Sequence, residues 1–136
     1  MAFERFDDTV LFTYEHIWLK KVDYGIFRCG ITFHIAELLG EIISAEFIKN
    51  IIGMEIYQND AIATIESLRD VIEIKSPLHG TITNINREIY DNPVIINEDP
   101  HGDGWLFEIE PIDGRFLDVI SEEEYIDFVN KMKIEE

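Results

Sequence analysis

Residues 61–75 read Ala61-Ile62-Ala63-Thr64-Ile65-Glu66-Ser67-Leu68-Arg69-Asp70-Val71-Ile72-Glu73-Ile74-Lys75. Two short Ile-rich runs, 61–66 and 71–75, are interrupted by polar residues that include Asp70, which predicts two short strands. Ile72 and Ile74 alternate with Glu73 and Lys75, so the second strand has one apolar face and one wet face. Working outward, the same pattern recurs at 10–13, 17–22, 26–29, 42–47, 81–85 and 106–110. Asp23-Tyr24-Gly25 predicts a hairpin turn between the second and third strands. Isoleucine dominates the apolar residues, as a core built on sheets favours. The fold class expected is mainly β, with short antiparallel strands.

Two segments depart from that pattern. Between Thr32 and Gly40, Ile35, Leu38 and Leu39 fall at helical spacing, which predicts a short helix near 33–39 with Thr32 as N-cap. At the other end, Ser121-Glu122-Glu123-Glu124 is a capping box. Tyr125, Phe128, Val129 and Met132 then recur at i, i+3, i+4 and i+7, predicting a C-terminal helix near 122–132 that lays one face on a sheet.

The 136 residues suffice for one domain, 1–136, with a self-sufficient core. Eleven Lys and Arg against 28 Asp and Glu give a net charge of −17. Such a surface repels phosphate backbones and anionic lipid heads, so neither nucleic acid nor a membrane is an expected partner. At 46% apolar and 12% aromatic residues, the chain nevertheless has the composition of a folded protein. Cys29 is the single cysteine and reads as a small core residue in a reducing compartment. The first residues have neither a basic nor an apolar signal region, and the location expected is cytoplasmic.

Catalytic and metal-ligating patterns are missing. His16, His34, His79 and His101 are scattered without ligand spacing, so no metal is expected. There is no G-x-S-x-G, Walker or G-x-G-x-x-G pattern, and Gly102-Asp103-Gly104 has the glycines of a turn. Ser44, Ser67 and Ser76 lack a local base, and no pair of carboxylates stands out. An enzyme built on His34 and nearby carboxylates would need a histidine within hydrogen-bond reach of a carboxylate or hydroxyl inside a cleft. From residues alone, the chain is a small acidic β-rich domain without visible catalytic apparatus.

Four segments carry a family resemblance. They are His16-Ile17-Trp18, then Gly30-Ile31-Thr32-Phe33-His34 with Leu39-Gly40-Glu41-Ile42, then Glu66-Ser67-Leu68-Arg69 through Ser76-Pro77-Leu78-His79-Gly80, and Asn97-Glu98-Asp99-Pro100-His101-Gly102-Asp103-Gly104-Trp105. In order and spacing they resemble the glycine cleavage system H-protein family, within the lipoyl/biotinyl-domain superfamily. The similarity spans 14–111, with a C-terminal helix at 121–133 packed behind it. The resemblance implies a barrel-sandwich hybrid of short antiparallel strands. It also implies a carrier, not an enzyme, whose lipoyl arm is amide-linked to one lysine at a hairpin tip and moves an aminomethyl group between enzymes.

This sequence departs at that lysine, because the position is Arg69. A guanidinium stays protonated and is a poor nucleophile, so Arg69 should carry no lipoate. The family's Glu in His-Glu-Trp is Ile17, and a polar helix residue is Leu38, which together predict a more apolar cleft. Two extra residues fall in 47–53, where the family has a shorter turn. The leading expectation is therefore an H-protein-like member with no cofactor, acting by protein binding through Glu66, Arg69, Asp70 and Glu73. Partners in keeping with the resemblance are a lipoate ligase or transferase, or glycine-cleavage-like enzymes. The alternative is a genuine lipoyl carrier modified at another lysine, such as Lys75. A biotin carrier is disfavoured because its Met-Lys-Met tip is absent.

Overall fold

A computed structural model describes residues 9–113 and 118–135. The elements run β1 (Val10–Thr13), β2 (Ile17–Asp23), β3 (Ile26–Ile31), α1 (Phe33–Leu39), β4 (Ile42–Phe47), β5 (Glu55–Ile56), β6 (Ala61–Ser67), β7 (Val71–Lys75), β8 (Gly80–Ile85), α2 (Glu88–Asp91), α3 (Ile95–Glu98), β9 (Phe107–Pro111), β10 (Val119–Ile120) and α4 (Glu122–Glu135). The fold is mainly β. Seven strands form one antiparallel sheet in the order β10-β1-β2-β3-β9-β8-β5, and β4-β6-β7 form a second.

The two sheets share one core. Leu19, Cys29, Ile31, Ile65, Ile74, Ile82, Phe107 and Ile109 all join a single buried cluster drawn from both. Cys29 is fully buried there, and burial pushes its thiol well above the usual range, so it packs as a hydrophobe. A smaller cluster of Phe12, Trp18, Ile120, Tyr125 and Val129 seats α4 against β1 and β10.

The local reasons match the residues. Asp23 pairs with Ile26, leaving Tyr24 and Gly25 as a two-residue loop, and Gly25 supplies a φ of +72°. Thr32 caps α1 by accepting the Ile35 amide at 3.4 Å, and Gly40 ends it in a conformation with φ 74° and ψ −161° that is nearly reserved for glycine. The capping box of α4 closes both ways: Glu124 N donates to Ser121 Oγ at 3.1 Å, and Ser121 N donates to Glu124 Oε1 at 3.0 Å. The two-residue strands β5 and β10 and the single-turn helices α2 and α3 had no sequence signal. They are too short for periodicity and are set by pairing with β8 and β1 or by turn geometry.

Candidate functional site: the β6–β7 tip and its cleft

The β6–β7 hairpin turns over Ser67-Leu68-Arg69-Asp70, with Glu66 paired to Val71 below it. Ser67 organises the turn. Its amide donates to Asp70 O at 2.8 Å, and its hydroxyl accepts the amides of Arg69 (3.1 Å) and Asp70 (3.0 Å). Asp70 Oδ1 accepts the Val71 amide at 2.8 Å. The tip also leans on the end of α1: Leu68 N donates to Glu41 O at 3.0 Å, and Arg69 Nη1 donates to Leu38 O at 3.2 Å. The Arg69 side chain lies over Gly40, where a Cβ would stand 3.3 Å from its Nε. Arginine thus caps a helix carbonyl that would otherwise lack a partner. The Ser67–Asp70 turn contains no primary amine, so its residues do not fit an amide-linked lipoyl group.

Asn97 holds the same junction from the other side. Its Oδ1 accepts the Ile42 amide at 2.8 Å and its Nδ2 donates to Gly40 O at 2.8 Å. The rest of the 97–105 segment is likewise structural. Asp99 O accepts the amides of Gly102 and Gly104, and its Oδ2 accepts that of Asp103. A Cβ on Gly104 would lie 2.7 Å from Ile95 O. Trp18 Nε1 donates to Pro100 O at 2.9 Å, and the Trp18 ring lies so close to Gly30 that a Cβ there would meet it at 2.9 Å. The residues that carry the resemblance therefore form the scaffold that fixes α1, and through α1 the tip.

Of the predicted contact residues, Glu66, Arg69 and Asp70 come together at the tip, all exposed. Glu73 is exposed but lies further down β7, opposite Thr64. The apolar members were not anticipated: Leu68 is 70% exposed, Val71 59% and Leu38 49%. A leucine in a turn, flanked by charges, was the available signal.

Beside β7 opens a cleft of about 370 Å³ lined by Ile17, Ile31, Ile35, Ile72 and Ile74 together with Glu15, Glu73 and Lys75. Ile17 belongs to the apolar wall of this cleft. Leu38 lies outside this lining, with an exposed side chain and a carbonyl that accepts from Arg69. Glu15 was missed because only the fold brings the β1–β2 turn to β7. Lys75 is exposed at the end of β7 opposite the tip, pairing with Ala61.

The histidines are structural in their contacts. His16 Nδ1 and the Tyr125 hydroxyl share a 2.7 Å hydrogen bond, and that hydroxyl lies 2.7 Å from Thr32 Oγ1, tying β2 and α1 to α4. Burial lowers the His16 pKa, with His34 adding to the effect, and burial raises that of Tyr125. His34 Nε2 is buried without a hydrogen-bond partner. His101 Nε2 accepts the Phe33 amide at 3.1 Å, and burial lowers its pKa. His79 sits at the surface between Glu55 (2.7 Å) and Asp113 (3.5 Å), and its hydrogen bond to Glu55 raises its pKa. Among the described residues no group of three or more His, Cys, Asp or Glu could hold a metal ion, and no helix is long and apolar enough to cross a membrane.

Comparison with known proteins agrees with this architecture. The family model described as "Glycine cleavage H-protein" matches residues 10–132. The chain is 34% identical over 117 residues to a probable glycine cleavage system H protein of Aeropyrum pernix, covering 85% of this chain and 80% of that one. It is 40% identical over 103 residues to the glycine cleavage system H protein of Salinibacter ruber, covering 76% and 81%. The crystal structure of a glycine cleavage system H protein from Mycobacterium marinum superposes with a TM-score of 0.80 at 24% identity, covering 90% of this chain and 98% of that one, and so shares the fold. With this sheet order, this hairpin and these relatives, the chain belongs to the glycine cleavage H-protein family.

Proposed function

We propose that this protein is a non-enzymatic H-protein-like member that carries no lipoyl arm and works by binding other proteins through the β6–β7 tip. The observation that carries this reading is Arg69. It stands where the resemblance puts the lipoyl lysine, and its guanidinium is folded back onto Leu38 O and over Gly40. An arm-bearing residue must offer a free amine to a ligase. Arg69 offers a cation that cannot be acylated and that is engaged in capping a helix.

The tip left behind has the make-up of a recognition surface. Leu68, Val71 and Leu38 are apolar anchors, and Glu66 and Asp70 surround them with negative charge. The expected partners are basic around an apolar pocket: a lipoate ligase or transferase, or a glycine-cleavage-like enzyme. Titration of the unmodified chain against such a purified enzyme should show saturable binding. Leu68→Lys should weaken it by about tenfold or more, as loss of a central anchor does. Failure to bind any of these enzymes, or binding indifferent to Leu68→Lys, contradicts the proposal.

A second reading rests on Lys75, an exposed primary amine at the cleft. It would make the chain a lipoyl carrier shuttling an aminomethyl group, with its arm displaced from the tip. Lys75 lies four residue steps along the strand from Val71, roughly 13 Å, so a ligase that reads the tip would meet no amine there. Under this second reading a lipoyl mass increment is present and disappears in Lys75→Arg.

A further inference from the structure

The loop 47–53, where the sequence is longer than the family pattern, builds a recess at the end of the small sheet remote from the tip. Phe47 ends β4, pairing with Ala63, whereas Ile42 at the other end of β4 pairs with Ser67 beside the tip. The loop is firmly held. Ile51 is buried at 2% exposure, Gly53 N donates to Ile82 O at 2.7 Å, and Met54 N donates to Ile51 O at 2.9 Å. Asn50 and Gly53 take φ of +58° and +91°, and Lys49 and Asn50 line the recess together with residues at α2. Across from them stand Arg87, just before α2, and Tyr90 within it, whose ring packs edge-on against Phe47 with centroids 6.0 Å apart.

The recess has a volume of about 400 Å³, the size of a small-molecule site. Lys49 and Arg87 both line it, and no aspartate or glutamate does. Among the described residues, no hydrogen bond or ion pair engages the Lys49 ammonium or the Arg87 guanidinium. Glu46, Glu88 and Asp91 neighbour the lining in sequence without forming part of it. Two cations from separate segments thus share one recess on a strongly negative molecule, and among the described residues neither is paired with an acid.

We propose that this recess binds a small organic anion. Its oxyanion head, a carboxylate or a phosphate monoester, lies between Lys49 and Arg87, with the guanidinium fork matching two oxygens at once. Its short apolar tail lies on Phe47, Ile52 and the Tyr90 ring. Apolar floor and cationic rim together select for both features, so neither a bare ion nor a neutral chain satisfies the site.

The proposal does not depend on the reading of the hairpin tip, and its test is separate. The full chain is titrated at about 0.15 M salt, where distant surface charge is screened, with hexanoate, hexyl phosphate, hexanol, hexylamine and inorganic phosphate, following amide chemical shifts. Saturable shifts of residues 48–52 and 87–90 are expected with hexanoate, hexyl phosphate or both, and which head binds identifies the natural one. Hexanol, hexylamine and inorganic phosphate should bind at least about tenfold more weakly, and K49Q/R87Q should weaken the anionic probes by about tenfold or more, as loss of charge-assisted contacts does. Both side chains are exposed, so the remaining spectrum of the variant should be unchanged. The proposal is overturned if neither anionic probe saturates below about 10 mM, a weak limit even for so small a ligand. Hexanol or inorganic phosphate binding as tightly as the anionic probes overturns it, as does K49Q/R87Q binding like the parent.

Discussion

Gly40 and Arg69 form one structural unit, in which the guanidinium donates to Leu38 O and packs over a glycine. Gly40 adopts φ 74° and ψ −161°, a region open to almost no other residue, and the Arg69 side chain fills the space above it. Gly40→Ala should therefore lower the stability by about 1–3 kcal/mol in a denaturant titration, with faster amide exchange at Leu68, whose N–H is anchored to Glu41 O. A neutral Gly40→Ala would show that the junction is not strained. Arg69→Ala tests the cap itself. Exposed and bonded through one nitrogen, the cap should contribute less than about 1 kcal/mol, so global stability should barely move while Leu68 exchange accelerates. Unchanged exchange would mean that Arg69 does not order the tip.

Among the elements, those long enough to show a period were legible. The strands at 42–47 and 71–75 have their predicted bounds, as does the helix at 33–39, because alternation and N-capping are local properties. The β3 and β6 strands extend beyond the predicted 26–29 and 61–66, since pairing with β2 and β4 carries them past their apolar runs. The cleft was only half legible. Ile17 could be named from its motif, but Glu15 comes from a turn that only long-range packing delivers, and the motif that named Leu38 carries no information on which way its side chain faces. The seating of α4 and α1 adds a pH dependence at this scale. His16 and His101 are held below the ordinary value of about 6.5, chiefly by burial. As pH falls below that value the unfolded chain takes up these protons first, so the stability they allow is full above about 6.5 and is lost as pH falls toward their folded values. His79 acts in the opposite sense: raised chiefly by Glu55, it stabilises at low pH and that contribution disappears as pH rises through its folded value. In a His79→Gln background, stability by denaturant titration should therefore decrease from about pH 7.5 to 5.5, and adding His101→Gln should shrink the decrease. An increase, or a slope indifferent to His101, contradicts this account.

On the scale of the whole molecule, a net charge of −17 works against the compact state through self-repulsion. Self-repulsion predicts that thermal stability rises between low salt and about 0.5 M sodium chloride, as the Debye length contracts to a few ångströms; a fall would mean that attractive surface pairs dominate. The same field disfavours anionic partners, whereas the recess at 47–53 is lined by Lys49 and Arg87 and by no carboxylate. What separates a binding protein from a lipoyl carrier, however, is a single covalent bond. The most direct test is the intact mass of the protein after co-expression with an active lipoate ligase and supplied lipoate, with Arg69→Lys prepared in parallel to report whether the ligase acts on this tip. The unaltered chain should show its sequence mass alone. A lipoyl increment on it, on Lys75 or on any other lysine, would contradict the proposal that this protein works without an arm.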